Sequence, residues 1–191
     1  FAVPVILDYD ETQAGARILG PLTHGKTVNL AVSPSDSDVI ALTGWQTVAD
    51  NSGSERIYVT KDQGLPWSDV TGNLQAASGV TGNVRPGGIL IVDLLENGDR
   101  ALLVGTANGI LVTFLGNGAA SGTWQRLGSL NEFPMVLVAG LSYEHYSDTL
   151  VAATFGRGIY TLNKCKERLL QVRGGKHVPE SSSSGFFPVQ L

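Results

Sequence analysis

The sequence contains three copies of one pattern, and this internal repeat constrains the fold more than any other feature. In each copy, a run with apolar bias is followed by a polar turn, a second apolar run and a third run that starts at an isoleucine. The copies occupy residues 28–45 with 56–70, 88–114 with 122–128, and 136–162. Short β-rich runs separated by Gly, Asn, Asp and Ser turns predict antiparallel sheets and very little helix.

The spacing of the copies indicates a β-propeller, because a repeat of roughly 50 residues matches one four-stranded blade. We therefore predict an all-β fold: a partial β-propeller of about three four-stranded antiparallel blades, followed by an irregular C-terminal tail. The predicted boundaries are 28–70, 88–128 and 136–162 for the blades, within a propeller portion at 1–163, and 164–191 for the tail. Residues 1–27 would supply the end of a preceding blade or a closing strand.

Three blades do not close a ring, because propellers typically have four to eight blades. Open ends would leave unpaired strand edges, which natural proteins rarely tolerate. We therefore expect the chain to be the C-terminal part of a larger propeller, or to complete its ring with another chain. The third blade has no evident fourth strand unless residues 168–172 provide it.

Composition excludes several classes of protein. Only 16% of the 191 residues are charged, which argues against a disordered chain or a coiled coil, and the net charge of -4 gives no electrostatic footprint for nucleic acid. No apolar run approaches the ~20 residues of a membrane-spanning helix. The single cysteine, Cys165, excludes a disulfide scaffold. Its lysine neighbours would lower the thiol pKa, and we expect a surface thiol without a role.

The segment TKDQGLPW at residues 60–67 resembles the Asp-box of the BNR repeat family. That pattern, Ser/Thr-x-Asp-x-Gly-x-Thr-Trp, occupies the hairpin between the third and fourth strands of a blade. The resemblance implies a fold-stabilising turn in which the Asp carboxylate accepts backbone N–H groups, Gly supplies an unusual dihedral and Trp packs beneath. Its structural residues would be Thr60, Asp62, Gly64 and Trp67. Pro66 replaces the family's hydroxyl residue, so that hydrogen bond must be absent.

Two further segments extend the resemblance to residues 28–162. A second, degenerate copy of the Asp-box ends at residues 122–124. The segment ATFGRGIY at 153–160 looks like the strand that often finishes propellers of the sortilin-like and xyloglucanase-like BNR groups, to which sialidase-like propellers are also similar. The resemblance favours an extracytoplasmic or organelle-lumen location.

One face of the predicted propeller and the C-terminal tail contain the candidate contact residues. Turns between second and third strands share a face with the blade-to-blade connections, and that face usually carries function in propellers. The candidates on it are Trp45, Arg85, Asn108, Glu132, Phe133 and Arg157. A serine-rich spacer followed by an apolar terminus predicts docking onto the chain's own propeller or, slightly favoured, onto a neighbour. The docking residues would be Phe186, Phe187, Val189 and Leu191.

The leading functional hypothesis is a non-enzymatic propeller segment that acts as a rigid structural or protein-interaction module. Its partner would be a protein or the remaining blades. A first alternative is part of a BNR-type glycoside hydrolase or sialidase with its catalytic residues outside this chain, and only this alternative implies a carbohydrate ligand. Asp50 and Glu132 could provide two carboxylates, but no motif positions either of them.

Two other family-level alternatives remain open. A sortilin-like sorting receptor would lack its cysteine-rich segment, and an assembly factor of the photosystem-stability type would be expected to have a basic patch. We expect no cofactor. His24, His145 and His177 have no metal-ligand spacing, so we expect no metal site.

Overall fold

The protein was analysed as a computed structural model, which describes residues 26–46, 54–64, 66–79, 84, 86–94, 98–116, 122–175 and 185–189. Within these residues, twelve strands form three four-stranded antiparallel sheets. In each sheet, the strands are arranged in their order along the chain, as in the blade of a propeller. The chain is therefore a partial all-β propeller, as the repeat predicts.

The strands and helices have the following bounds. Sheet 1 contains β1 (Lys26–Ser33), β2 (Asp36–Gln46), β3 (Ser54–Thr60) and β4 (Trp67–Asp69). A short helix, α1 (Leu74–Ser78), precedes sheet 2, which contains β5 (Gly88–Asp93), β6 (Arg100–Thr106), β7 (Gly109–Leu115) and β8 (Gln125–Arg126). Sheet 3 contains β9 (Val138–Glu144), β10 (Thr149–Thr154), β11 (Ile159–Asn163) and β12 (Phe186–Pro188), with α2 (Cys165–Arg173) between its last two strands.

Sheet 2 lies between the other two sheets, and its first strand β5 contacts both β1 and β9. The three sheets thus approach each other most closely at their first strands, as expected for blades around a common axis. Alternate residues of sheet 2 enter two hydrophobic clusters. Ile91, Leu102 and Val104 pack toward sheet 1, whereas Val92, Leu103 and Val112 pack toward sheet 3. Burial on both faces explains why β6 and β7 read as nearly continuous apolar runs.

Glycines allow sheets 2 and 3 to approach at their inner strands. A Cβ on Gly87 would lie 1.9 Å from the Val138 carbonyl oxygen, and one on Gly105 would lie 2.8 Å from Val138 Cγ1. The clash at Gly87 is with backbone and cannot be relieved by moving a side chain, and a Cβ on Gly105 would also lie 3.0 Å from the Val138 carbonyl oxygen. The two glycines are therefore required by the close approach of β9.

The C-terminal segment is more ordered than the expected irregular tail. Residues 168–172 belong to α2, so they do not provide the fourth strand of this blade. The segment is rich in helix formers, and Asp148 accepts hydrogen bonds from the first backbone N–H groups of α2. The fourth strand of sheet 3 is β12, in which Phe186 pairs with Leu162 and Pro188 with Tyr160. The chain thus completes its third blade with residues that follow a helix.

Candidate functional site

The outer face of sheet 3, which points away from sheet 2, presents apolar side chains to solvent. Leu150, Ala152 and Leu162 are buried against sheet 2, so the residues that alternate with them lie on the opposite side. The pairing of β10, β11 and β12 aligns these residues into one surface. Its members are Val151, Ala153, Ile159, Thr161, Phe187 and Val189. Phe187 is 48% exposed, and Val189 is also exposed.

The equivalent positions of sheets 1 and 2 are buried. Ile57, Ile110 and Ile159 each start the apolar part of a third strand, and each pairs with a small residue of the second strand. Ile57 and Ile110 are fully buried because another sheet follows, whereas Ile159 is partly exposed. The outer face of sheet 3 therefore repeats an inter-sheet surface without a following sheet among the described residues.

An exposed turn lies at one end of this face. Phe155 is 76% exposed, and its backbone N–H donates to the Leu137 carbonyl oxygen at 2.8 Å, which brings a second exposed apolar residue beside it. Arg157, a predicted interaction residue, is exposed in the same turn. Leu137 is missed from the sequence because it lies in an uninterrupted apolar run, where local alternation does not separate exposed from buried positions.

Asn108, another predicted interaction residue, lies in the turn between β6 and β7 and is hydrogen-bonded to two other parts of the chain. Its side-chain amide donates to the Ser78 carbonyl oxygen at 2.9 Å, and its own carbonyl oxygen accepts from Arg126. Arg126 also donates to the Phe133 carbonyl oxygen at 2.7 Å, and burial lowers its pKa. Gly109 makes room, since a Cβ there would lie 2.7 Å from the guanidinium. Nothing in the sequence pattern marks Arg126 as the centre of this network.

Phe133 and Glu132 are not surface contacts, which corrects the sequence expectation. Phe133 is fully buried, with its ring centroid 5.0 Å from that of Tyr160 and 4.6 Å from that of Phe186. Glu132 Oε2 accepts from Arg168 Nη2 at 2.5 Å, and their side chains are only 12% and 4% exposed. The segment that contains both residues packs inward, and the Phe133 ring fills the space beside Tyr160 and Phe186 between sheets 2 and 3.

The predicted docking residues separate into two groups. Phe186 is buried in the cluster between sheets 2 and 3, so it docks onto the chain's own fold. Phe187 and Val189 lie on the outer face of sheet 3. Leu191 lies outside the described residues, as do Arg85 and Asp50, and Trp45 is described only through its backbone pairing in β2.

The turn at 60–67 is organised by a hydroxyl group. Thr60 Oγ1 accepts from the backbone N–H groups of Asp62 at 3.2 Å and Gly64 at 3.1 Å, and Gly64 has a φ of 112°. Asp62 is exposed, and Trp67 packs against Leu42 and Tyr58. The described hydrogen bonds within the turn are accepted by Thr60, where the resemblance implied the Asp62 carboxylate.

A polar network joins sheets 1 and 2 at the ends of their first strands. Arg100 donates to Asp36 at 2.8 Å and to Asp93 at 3.0 Å. Burial raises the pKa of Asp93, but hydrogen bonds from Ser33 and Ser35 and the charge of Arg100 outweigh it and hold that pKa below its usual range. A cavity of about 830 Å³ adjoins the network, and its lining includes Asp36, Asp93, Arg100, His145 and Lys166. The carboxylates of this cavity are engaged by Arg100.

Cys165 is fully buried at the start of α2, so the expectation of a surface thiol is wrong. Burial and the nearby Asp148 carboxylate raise the pKa of this thiol, so the neutral form persists. Within the described parts of the chain, no cluster of three or more His, Cys, Asp or Glu side chains is placed to bind a metal ion. Neither described helix has the length and apolar character needed to cross a membrane.

Comparisons with known proteins give distant structural likenesses. No protein-family model and no curated protein matches the chain. The chain is similar to a GH74 enzyme from Niastella koreensis, with 18% identity and a TM-score of 0.49, over 71% of this chain and 21% of that structure. It is also similar to the GH74 xyloglucanase from Xanthomonas campestris, with 14% identity and a TM-score of 0.43, over 70% and 21%. The chain spans about a fifth of the length of each of these structures.

Proposed function

We propose that this chain is a non-enzymatic structural and interaction module, a propeller segment whose third sheet docks a further four-stranded blade. The observation that carries the proposal is the outer face of sheet 3. It repeats, at Ile159 and its neighbours, the positions that sheets 1 and 2 bury against the sheets that follow them.

The apolar character of this face is opposite to that of a terminal cap. Repeat proteins remain soluble because their terminal repeats have a polar outer face. Sheet 3 instead presents Val151, Ala153 and Ile159 at its centre, and a contiguous apolar surface on a soluble protein marks an interaction site. Helix α2 does not cover this face, because its Cys165 and Leu169 pack between sheets 2 and 3.

A further blade fits this face because each equivalent face in the chain is covered by a four-stranded antiparallel sheet. Flat apolar surfaces formed by alternate strand residues pack well against another such surface. The blade could belong to the same polypeptide or to another chain. In either case, the function of the described segment is to provide a rigid surface of defined register.

A pair of matched substitutions tests whether the face is open. Ile110→Asp places a carboxylate in the filled space between sheets 2 and 3, so we expect loss of cooperative folding. Ile159→Asp makes the same change at the equivalent position of sheet 3, and we expect a loss of at most about 1 kcal/mol in the isolated chain. Thermal and urea unfolding followed by circular dichroism measure both effects.

Binding of an apolar fluorescent dye to the folded chain provides the second measurement. Ile159→Asp should reduce dye binding, whereas Tyr146→Asp, in the exposed turn between β9 and β10, should leave it unchanged. The proposal fails if Ile159→Asp destabilises the chain as strongly as Ile110→Asp, because the face would then already be covered. It also fails if the substitution leaves dye binding unaltered.

A further inference from the structure

The turns between the first and second strands of all three sheets meet around the cavity of about 830 Å³, which we call the turn cavity. Ser35 belongs to the turn after β1, Gly98 to the turn after β5 and His145 to the turn after β9. Lys166, at the start of α2, lines the cavity on the side of sheet 3. The volume is within the range of small-molecule sites. The cavity lies at the end of the strands opposite to the predicted interaction turns.

All four carboxylate oxygens of the turn cavity already accept hydrogen bonds. Asp93 Oδ1 accepts from Ser33 Oγ at 2.8 Å and from Arg100 Nε at 3.0 Å. Asp93 Oδ2 accepts from the backbone N–H of Ser35 at 2.9 Å. Asp36 Oδ1 accepts from the backbone N–H two residues along the chain, and its Oδ2 accepts from Arg100 Nη2 at 2.8 Å. A cation that entered the cavity would compete with Arg100 for both carboxylates, so the cavity is poorly suited to a cationic ligand.

The side of the turn cavity formed by sheet 3 and α2 carries polar groups that are not engaged. Among the described residues, the Lys166 ammonium has no hydrogen bond or ion pair, and the His145 ring contacts only the rings of Tyr143 and Tyr146. The neighbouring Glu144 carboxylate accepts from backbone N–H groups of its own turn. The groups left to meet a ligand are therefore an ammonium and an imidazole, which can donate hydrogen bonds.

Asp148 connects the backbone segments that carry these two groups. Its Oδ1 accepts from the backbone N–H of Lys166 at 3.0 Å and from the Tyr143 hydroxyl at 2.8 Å, and its carbonyl oxygen accepts from the backbone N–H of Cys165 at 3.0 Å. Asp148 follows His145 in the same turn and has a φ of 50°, which is uncommon for a residue other than glycine. Three hydrogen bonds hold this conformation, so the positions of both ligand-facing residues are fixed in advance. Such preorganisation lowers the cost of binding.

We propose that the turn cavity binds a small molecule with an oxyanion group, a carboxylate or a phosphate, through Lys166 and His145. The permanent charges that line the cavity cancel, because Asp36 and Asp93 are balanced by Arg100 and Lys166. Since Arg100 is engaged by both carboxylates, Lys166 provides the charge-assisted hydrogen bond to the ligand. The remaining volume accommodates the rest of the molecule. This inference goes beyond the proposed function and does not involve the outer face of sheet 3.

Proton–nitrogen correlation NMR of the full 191-residue chain, titrated separately with sodium phosphate and sodium acetate, locates the site. At constant ionic strength, we expect saturable shifts of the backbone N–H signals of Ser35, Gly98, His145 and Lys166. Tighter binding of phosphate supports the site and assigns a phosphate group to the ligand, and equal or tighter binding of acetate supports it and assigns a carboxylate. Shifts that do not saturate, or that saturate only elsewhere in the chain, overturn the proposal.

A pair of lysine substitutions tests the role of the ammonium group. Lys166→Met removes the charge and retains the apolar stem, so we expect affinity for the tighter-binding probe to fall about tenfold or more. Lys61→Met makes the same charge change at an exposed position outside the cavity and should leave the affinity within about twofold of wild type. Equal affinity of wild type and Lys166→Met overturns the proposal. Thermal melts establish that both variants are folded, and the wild-type titrations decide the proposal should Lys166→Met unfold.

Titration with calcium chloride tests the opposite ligand charge. Because Arg100 engages the carboxylates, we expect no saturable shift at the turn cavity, and calcium shifts there that saturate below the phosphate and acetate concentrations overturn the proposal. The proposed function is decided separately, by the unfolding and dye measurements on Ile159→Asp. Lys166→Met should leave dye binding unchanged, since Lys166 lines the turn cavity and Ile159 does not. Either proposal can therefore fail while the other holds.

Discussion

The junction between sheets 1 and 2 and the junction between sheets 2 and 3 are held together by different means. The first consists mainly of aliphatic residues from the strands, joined by Leu74 of α1 and by Trp124, with Arg100 bridging two carboxylates at one end. The second recruits parts of the chain outside the blade pattern: the loop that contains Phe133, helix α2, and Phe186 of β12. The strands of the blade repeat therefore provide most of the first junction, while the second depends more heavily on segments that the repeat does not contain.

The difference shows why the C-terminal segment belongs to the fold. Its buried side chains fill the space between sheets 2 and 3, and Arg173 pairs with Asp99 in the turn between β5 and β6. Sheet 3 is thus held against sheet 2 on one side, and on its other side it presents an apolar face that no other sheet among the described residues covers. A blade at the end of a segment can be rigid and still provide a docking surface.

The largest expected effect is at the aromatic centre of the second junction. Phe133→Ala removes a fully buried ring between Tyr160 and Phe186, and we expect a loss of about 4 kcal/mol in the free energy of unfolding. Phe155→Ala, in the exposed turn, is the matched control and should have little effect. Urea unfolding measures both variants. Equal losses would mean that the second junction does not depend on this loop.

The buried ion pair of the second junction should have the next largest effect. Glu132→Ala leaves the Arg168 guanidinium buried without its carboxylate, so we expect a loss of about 3 kcal/mol. Replacing both residues, with Glu132→Leu and Arg168→Met, should recover most of that loss because no charge remains buried. Thermal unfolding of the single and double variants forms the comparison. A double variant as unstable as the single one would contradict this account of the clamp.

Arg100 should matter less, because its partners are nearer to solvent. Arg100→Met removes hydrogen bonds to Asp36 and Asp93, and we expect a loss of about 2 kcal/mol. Raised salt should reduce the difference between wild type and variant. Urea unfolding at two salt concentrations provides the measurement. A loss as large as that of Phe133→Ala would show that the first junction is not held mainly by its aliphatic residues.

The smallest effect is the pH dependence of the first junction. The pKa of Asp93 is lowered in the folded chain, so its stabilising contribution is complete above the ordinary aspartate pKa of about 3.9 and is lost as the pH falls through the lower folded value. Asp93→Asn has no such contribution. Wild-type stability should therefore fall more steeply than that of the variant below about pH 4. Parallel curves from thermal melts would contradict the lowered pKa.

The blade pattern could be predicted because strand alternation and turn residues are local properties. Ile57, Ile110 and Ile159 are recognisable in the sequence as equivalent positions, and the structure confirms three four-stranded sheets. The local sequence pattern does not predict burial where contacts between distant segments determine it. Phe133, between an acidic residue and a proline, has the sequence context of a surface loop but fills a gap between two sheets. Arg126 was missed because its role depends on the space that Gly109 leaves.

The amino-acid sequence by itself determined the three repeats of antiparallel strands and the turns between those strands, because each depends on residues close together along the chain. Only the tertiary structure decided which isoleucines are buried, how α2 and β12 complete the third blade, and which predicted contact residues reach the surface. These outcomes depend on which sheets face each other. Burial is a property of two surfaces in contact, and a single strand carries the information for only one of them.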